Sequence, residues 1–167
     1  EGALQGVEPT MGDWTNHLST LFPEVRLKRF LEMRGADGGP WRRICALPAF
    51  WVGLLYDDAA LDAAETLTSD WTYEEVIQMR DEVPAQGLAA KLRNRTLREV
   101  AREVLEISRS GLAARNQKNR EGYDETGYLA PLEEIVARGT TSAEEMVKAF
   151  HTRWGGSIEP VFLEFAY

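Results

Sequence analysis

Only one cysteine and two histidines occur among 167 residues. The lone Cys45 excludes an internal disulfide, and so few thiol and imidazole groups leave no zinc-ligand spacing; a reducing, cytoplasmic setting is expected. His17 and His151 have no partner at ligand or triad spacing and read as helix-surface or satisfied core residues. Long apolar runs are missing as well. The longest, Ala46 to Tyr56, falls short of the roughly 20 residues that a membrane-spanning helix needs, so it reads as a buried helix and no membrane partner is expected. No signal peptide is expected from the residues given, and they show no internal repeat, low-complexity tract or heptad seam. Basic residues are in the minority, 19 Lys and Arg against 27 Asp and Glu, for a formal net charge of -8. A general nucleic-acid binder is thereby excluded, because it needs a basic face to neutralise phosphates. An initiating Met is also absent, as expected of a processed or truncated product.

What is present suits one core. Hydrophobic residues make up 44% and aromatics 10%, enough for a single domain of this length. Residues 1–12 read as an extended lead-in. Asp13 is placed to N-cap a short helix carrying Trp14, Leu18 and Leu21, closed by Pro23. Trp41 to Tyr56 reads as a helix that is apolar nearly all round after Pro48, and Asp57 as the cap of a helix from Asp58 to Leu67. Three later helices announce themselves by a hydroxyl residue followed at the third position by Glu: Thr72 and Glu75, Thr96 and Glu99, Ser142 and Glu145. Pro84 is expected to end the first of these. Leu97 to about Ala114 has apolar residues at helical spacing on one face, and Arg98, Glu99, Arg102, Glu103, Glu106 and Arg109 on a solvated one. A short helix from Leu129 to Ala137 stops at Gly139. Met146, Val147, Phe150 and Trp154 line the next, stopped by Gly155 and Gly156, and a last helix runs from Ser157 to the terminus. Trp41, Trp51 and Trp71 read as packing residues.

One stretch stands apart. Val25 to Arg34 alternates in period two, which puts Val25, Leu27, Arg29, Leu31 and Met33 on one face of a strand and Arg26, Lys28, Phe30, Glu32 and Arg34 on the other. Such a strand would rest its apolar face on a helical layer and line something wet with its charged face. Glu32 beside Arg34 suits a metal-bound polyphosphate, Glu giving Mg²⁺ a hard oxygen and Arg giving phosphate a planar fork of donors. On composition alone an ordinary ion pair on a solvated sheet face is the preferred reading of the two. After Arg34, G-A-D-G-G-P reads as a sharp turn in which Asp37 bonds its own backbone, without the spacing of a P-loop. The architecture expected is α+β and predominantly helical: one charged-face strand plus about seven helices, with residues 13–57 holding a helix, the strand and a buried helix, and 58–167 a helical region. A lone strand is no stable sheet, so its partners must come from elsewhere.

The segment Pro9 to Asp57, with F-P-E-V-R-L-K-R-F-L-E-M-R-G-A-D-G-G-P-W at its centre, resembles the C-terminal part of glutamate–cysteine ligase of the plant and proteobacterial type. The likeness continues through V-P-A-Q-G-L at Val83 to Leu88, the helix from Thr96, G-Y-L at Gly127 to Leu129, and the ending W-G-G-S-I-E-P-V-F-L-E-F-A-Y, and so covers nearly the whole chain. It implies that residues 1–167 are the C-terminal segment of a larger ligase domain, with an antiparallel sheet like that of glutamine synthetase, and that the N-terminal remainder of the same enzyme is a partner. It also implies an ATP- and Mg²⁺-dependent reaction. The γ-carboxyl of glutamate is phosphorylated and the amine of cysteine displaces phosphate, the first step of glutathione biosynthesis. In that family a Glu-x-Arg pair sits on a sheet strand, and Glu32-Met33-Arg34 matches it. By the resemblance Glu32 would ligate Mg²⁺, Arg34 would be catalytic and bind the ATP phosphates, and Arg26 and Lys28 would add to the same phosphate-binding surface. Plant members carry a redox-sensitive disulfide, and Cys45 resembles one of its cysteines, with its partner expected upstream; the apolar setting of Cys45 suggests instead an inert buried thiol. The cytoplasm is the compartment expected, with a plastid as the alternative for a plant source. Two other readings stay open: a non-catalytic helical structural or interaction subdomain, and a γ-glutamyl ligase with a different amine acceptor.

Overall fold

The computed structural model describes residues 6, 8–36 and 38–166, and the chain divides into two compact units, Glu1–Gly38 and Gly39–Tyr167. The expected turn at Asp37, residues 1–5 and 7 of the lead-in and the C-terminal Tyr167 lie outside the described residues. Nine α-helices and four short strands occur among those described, against the one strand and about seven helices expected.

In the first unit, α1 (Met11–Ser19) starts two residues before Asp13. Thr10 is its N-cap: the Thr10 hydroxyl accepts the Asp13 N–H at 3.2 Å, and the Asp13 carboxylate accepts the Thr10 N–H at 2.7 Å. Asp13 is therefore the third helical residue of a capping box, since T-x-x-D supplies both halves of the motif. The expected single strand is instead a hairpin of β1 (Val25–Leu27) and β2 (Leu31–Met33), antiparallel, with Arg26 opposite Glu32 and Leu27 opposite Leu31. The Lys28 N–H donates to the Phe30 carbonyl at 2.9 Å, and the Arg34 N–H to the Glu24 carbonyl at 2.7 Å. A reversal over an odd number of residues keeps odd positions on one face and even positions on the other, so alternation reads the same with or without it. The face assignment survives in β1 and β2 and the straight strand does not. Within this unit no helix covers the apolar face: Leu27 and Leu31 are 79% and 59% exposed, and no described residue of the unit is buried.

The second unit is organised by two crossing helices. Its elements are α2 (Trp41–Ile44), α3 (Ala46–Leu55), α4 (Asp58–Thr68), α5 (Tyr73–Gln86), β3 (Lys91–Leu92), β4 (Arg95–Thr96), α6 (Leu97–Arg115), α7 (Ala130–Arg138), α8 (Ser142–His151) and α9 (Val161–Glu164). Small residues on α3 let α6 approach closely: a Cβ on Gly53 would run into the Ser108 carbonyl and hydroxyl oxygens, and one on Gly111 into the Gly53 carbonyl oxygen. Ser108, fully buried, donates its hydroxyl hydrogen to the Phe50 carbonyl at 2.9 Å, which satisfies that buried hydroxyl. Around the crossing, Ala49, Leu105, Leu112, Leu129 and Val136 form the core.

Several boundaries differ from the sequence reading for local reasons. The Trp41 to Tyr56 helix breaks at Cys45, because the Pro48 ring clashes with the carbonyl four residues back, that of Ile44. Trp41 is consequently 78% exposed rather than packed, and Cys45 is exposed rather than buried. Pro84 lies in the last turn of α5, where it removes a single ladder bond; the helix runs on to Gln86 and closes at Gly87, whose φ is +53°. The box at α8 is Thr141 with Glu144 rather than Ser142 with Glu145, T-S-A-E-E being readable in both registers. Arg98, assigned to a solvated face, donates from Nε to the Val136 carbonyl at 2.7 Å and from Nη2 to the Ala137 carbonyl, capping the C-terminus of α7. The last helix is α9 alone; ahead of it the chain turns through Gly155 and Gly156 and folds over Trp154, whose Nε1–H donates to Glu164 at 2.9 Å. Among the described residues no single helix is long and apolar enough to cross a membrane.

Unanticipated from the sequence, β3 and β4 form a hairpin whose turn residue Arg93 has φ +54°. Its guanidinium donates to Glu75 at 2.7 Å and to the Asp70 carboxylate at 2.5 Å, fastening the turn to the start of α5. The hydrogen bonds from Arg93 and from the Thr72 backbone pull the Glu75 carboxyl from 4.5 to about 2. A carboxyl depressed on folding contributes stability that is complete above its unfolded value and lost as pH falls through its folded one. Between pH about 4.5 and about 2, then, acid unfolding should be steeper for the parent chain than for Glu75→Gln, read as urea midpoints across that window. Equal slopes would remove Glu75 from the account of acid stability.

Candidate functional site

The cross-strand register of the first hairpin brings the predicted site residues together. Arg26 on β1 lies opposite Glu32 on β2, and both project from the same face. Glu32 Oε2 is the hub: Arg26 Nε donates to it at 2.8 Å, Arg34 Nη1 at 3.5 Å, and Lys28 Nζ lies 3.9 Å away. Among the described residues Oε1 of the same carboxylate accepts no hydrogen bond. The Arg26 hydrogen bond, helped by the charges of Arg26, Lys28 and Arg34, holds the Glu32 carboxyl below the ordinary carboxylate range, so it is ionised at neutral pH. Three cations around one carboxylate leave a surplus of positive charge on this face.

Arg34 is fixed from a further side. Its guanidinium carbon stands 5.2 Å from the centroid of the Phe22 ring, within the reach of a cation–π contact. Its side chain and that of Arg26 are about three-quarters buried, at 23% and 24% exposure. Phe22 was absent from the sequence-derived set, and no spacing rule could supply it: the ring stacks across a chain reversal from a residue twelve positions away. Arg29, expected on the apolar face, falls in the turn between the strands.

Among the described residues Glu32 is engaged by Arg26, Lys28 and Arg34, and no group of three or more His, Cys, Asp or Glu able to hold a metal occurs there. Within this cluster of Arg26, Lys28, Glu32 and Arg34, Glu32 is the one carboxylate. Cys45, on the surface at the junction of α2 and α3, belongs to the other unit. That unit holds an apolar cleft of about 440 Å³ between α3, α5, α6 and α7, and a polar one of about 400 Å³ in the loop after α6; neither includes a predicted site residue.

The profile of glutamate-cysteine ligase family 2 (GCS2) matches residues 4–164. The chloroplastic glutamate–cysteine ligase of Arabidopsis thaliana is 52% identical over 164 residues, covering 98% of this chain and 30% of the relative. That of Nicotiana tabacum is 51% identical over the same shares, and ligase A of Oryza sativa subsp. indica is 51% identical over 97% of this chain and 32% of the relative. The chain therefore spans about a third of the length of these curated relatives. With a family profile matched across all but its ends, the chain belongs to glutamate-cysteine ligase family 2.

Proposed function

We propose that this chain is the part of an ATP-dependent ligase that presents Glu32 and Arg34 to the phosphates of ATP, the whole enzyme joining the γ-carboxyl of glutamate to the amine of cysteine. The observation that carries the reading is the convergence of Arg26, Lys28 and Arg34 on Glu32 within a chain of this family. An excess of positive charge held on a partly buried face stabilises a polyphosphate anion and the charge that develops as its terminal phosphoryl group leaves. Arg34, stacked on Phe22 and tethered to Glu32, has the planar fork suited to equatorial phosphoryl oxygens, and its preorganisation spares reorientation during transfer.

The donor set also fits Mg²⁺. Mg²⁺ binds through one or two carboxylates, with waters and substrate phosphates completing the octahedron, and Glu32 supplies one ionised, hard oxygen in Oε1. When bound there the cation would neutralise phosphate charge. Glu32 would hold it, while Arg34 would hold the phosphate oxygens beside it.

One carboxylate and a two-stranded ribbon do not make a complete site. We place the remaining metal ligands, the amino-acid contacts and the neighbouring strands of a glutamine-synthetase-like sheet in the rest of the polypeptide. The exposed apolar face of β1 and β2 supports this, because an isolated two-stranded hairpin is marginal in water. The relatives' names support a plastid over the cytoplasm as its compartment. A purely structural hairpin is the second reading, favoured by the mutual pairing of Glu32 and its cations.

The test is a reconstitution. The 167-residue segment alone should form no γ-glutamylcysteine from ATP, glutamate and cysteine, whereas the longer polypeptide carrying it should release phosphate in step with product. Product from the isolated segment would overturn the division of the site. Product from the longer chain only with another amine would make it a ligase of different acceptor.

A further inference from the structure

Arg26 carries more than surface charge. It stands directly opposite Glu32 in the hairpin register and reaches it with Nε, the donor nearest the stem, at 2.8 Å. Arg34 and Lys28 approach the same oxygen from 3.5 and 3.9 Å, so Arg26 makes the shortest of the three contacts. All three fall on Oε2. A carboxylate held by one oxygen has a fixed plane, and its second oxygen then has a fixed direction; residues that orient a ligand in this way set metal affinity almost as strongly as the ligand itself. We propose that Arg26 is the positioning residue of this site, clamping Glu32 through Oε2 so that Oε1 is presented to the divalent cation, and that it does not itself bind phosphate. This revises the place of Arg26 in the phosphate-binding set and rests on the reading of Glu32 as a metal ligand.

The side chains that could replace Arg26 separate geometry from charge. Gln carries its Nε2 at the position along the chain where Arg carries Nε, so Arg26→Gln keeps a donor for Oε2 and loses the charge. Arg26→Lys keeps the charge and moves the donor one atom further out. In the longer ligase, binding of Mn²⁺ followed by electron paramagnetic resonance should weaken about tenfold in Arg26→Ala and in Arg26→Lys, and stay near the parent value in Arg26→Gln. Glu32→Gln should weaken it further, and adding Arg26→Ala to Glu32→Gln should change nothing more, because the two act through one carboxylate. Mn²⁺ affinity tracking charge, with Lys keeping the parent value while Ala and Gln bind tighter because a repelling cation is gone, would overturn the positioning role and leave the site reading intact, as would additive losses in the double variant. Unchanged Mn²⁺ affinity in Glu32→Gln would overturn the site reading and this inference with it. Melting curves of the same variants accompany the titrations: Arg26→Gln binding Mn²⁺ normally while Arg26→Ala, equally folded, does not is the decisive pattern.

Discussion

Arg34→Ala should reduce kcat of the longer ligase by orders of magnitude while moving its melting temperature by no more than a few degrees. The reduction should approach the roughly 10³ to 10⁵ that separates enzymes with and without an arginine on the transferring phosphoryl group. The stability effect should be small because the guanidinium is held by a stacking contact and a long ion pair at the surface of a unit with no buried residue among those described. Glu32→Gln is isosteric and should behave alike, with one difference: it should raise the Mg²⁺ concentration required for half-maximal rate, whereas Arg34→Ala should chiefly change kcat. The magnitudes separate the two open readings. An ion pair on a solvated ribbon predicts near-normal turnover in both variants; a phosphoryl-transfer site predicts turnover lost in folded protein. Activity lost only through unfolding, or kept in both variants, makes the pair structural.

How far the residues spoke for themselves depended on how local each cause was. The capping boxes at Thr72 and Thr96 were legible because donor and acceptor lie three residues apart and no competitor exists nearby; at Thr141 and Ser142 two registers fit equally, and sequence had no means of ranking them. Period-two alternation located the site ribbon and its faces yet missed its reversal, since the Lys28–Phe30 turn preserves parity. The second hairpin was invisible because strands of two residues have no period, and its stability comes from Arg93 reaching back to Asp70 and Glu75. At the site, Glu32 and Arg34 were placed by resemblance to a family, while the grip of Arg26 on one oxygen and the stacking of Phe22 needed coordinates. The glycines of the α3 and α6 crossing were passed over entirely: nothing in a lone helical glycine announces that its neighbour is another backbone.

Those glycines carry the largest stability effect expected of the chain. Gly53→Ala and Gly111→Ala should each lower the melting temperature of the helical unit by about 10 °C or more, followed by far-UV circular dichroism. Alanine favours a helix over glycine by about 1 kcal/mol, so propensity alone predicts the opposite sign. Packing decides otherwise. The new methyl at Gly53 would meet the Ser108 carbonyl group, whose carbon is 2.8 Å away, and at Gly111 the Gly53 carbonyl oxygen and, at 2.9 Å, the Ala60 Cβ. The obstacles are backbone atoms and a short methyl rather than the ends of flexible side chains, so relief requires the helices to part. Parting them strains the Ser108 to Phe50 hydrogen bond and loosens Ala49 from Leu105 and Leu112, where overpacking alone costs about 1–3 kcal/mol and often more at a backbone contact. Gly127→Ala is the control: a Cβ there meets nothing within 4 Å, and its φ lies outside the left-handed region, so its melting curve should overlay the parent's. A crossing that tolerates alanine at both Gly53 and Gly111 would mean that α3 and α6 are not held together by this close approach.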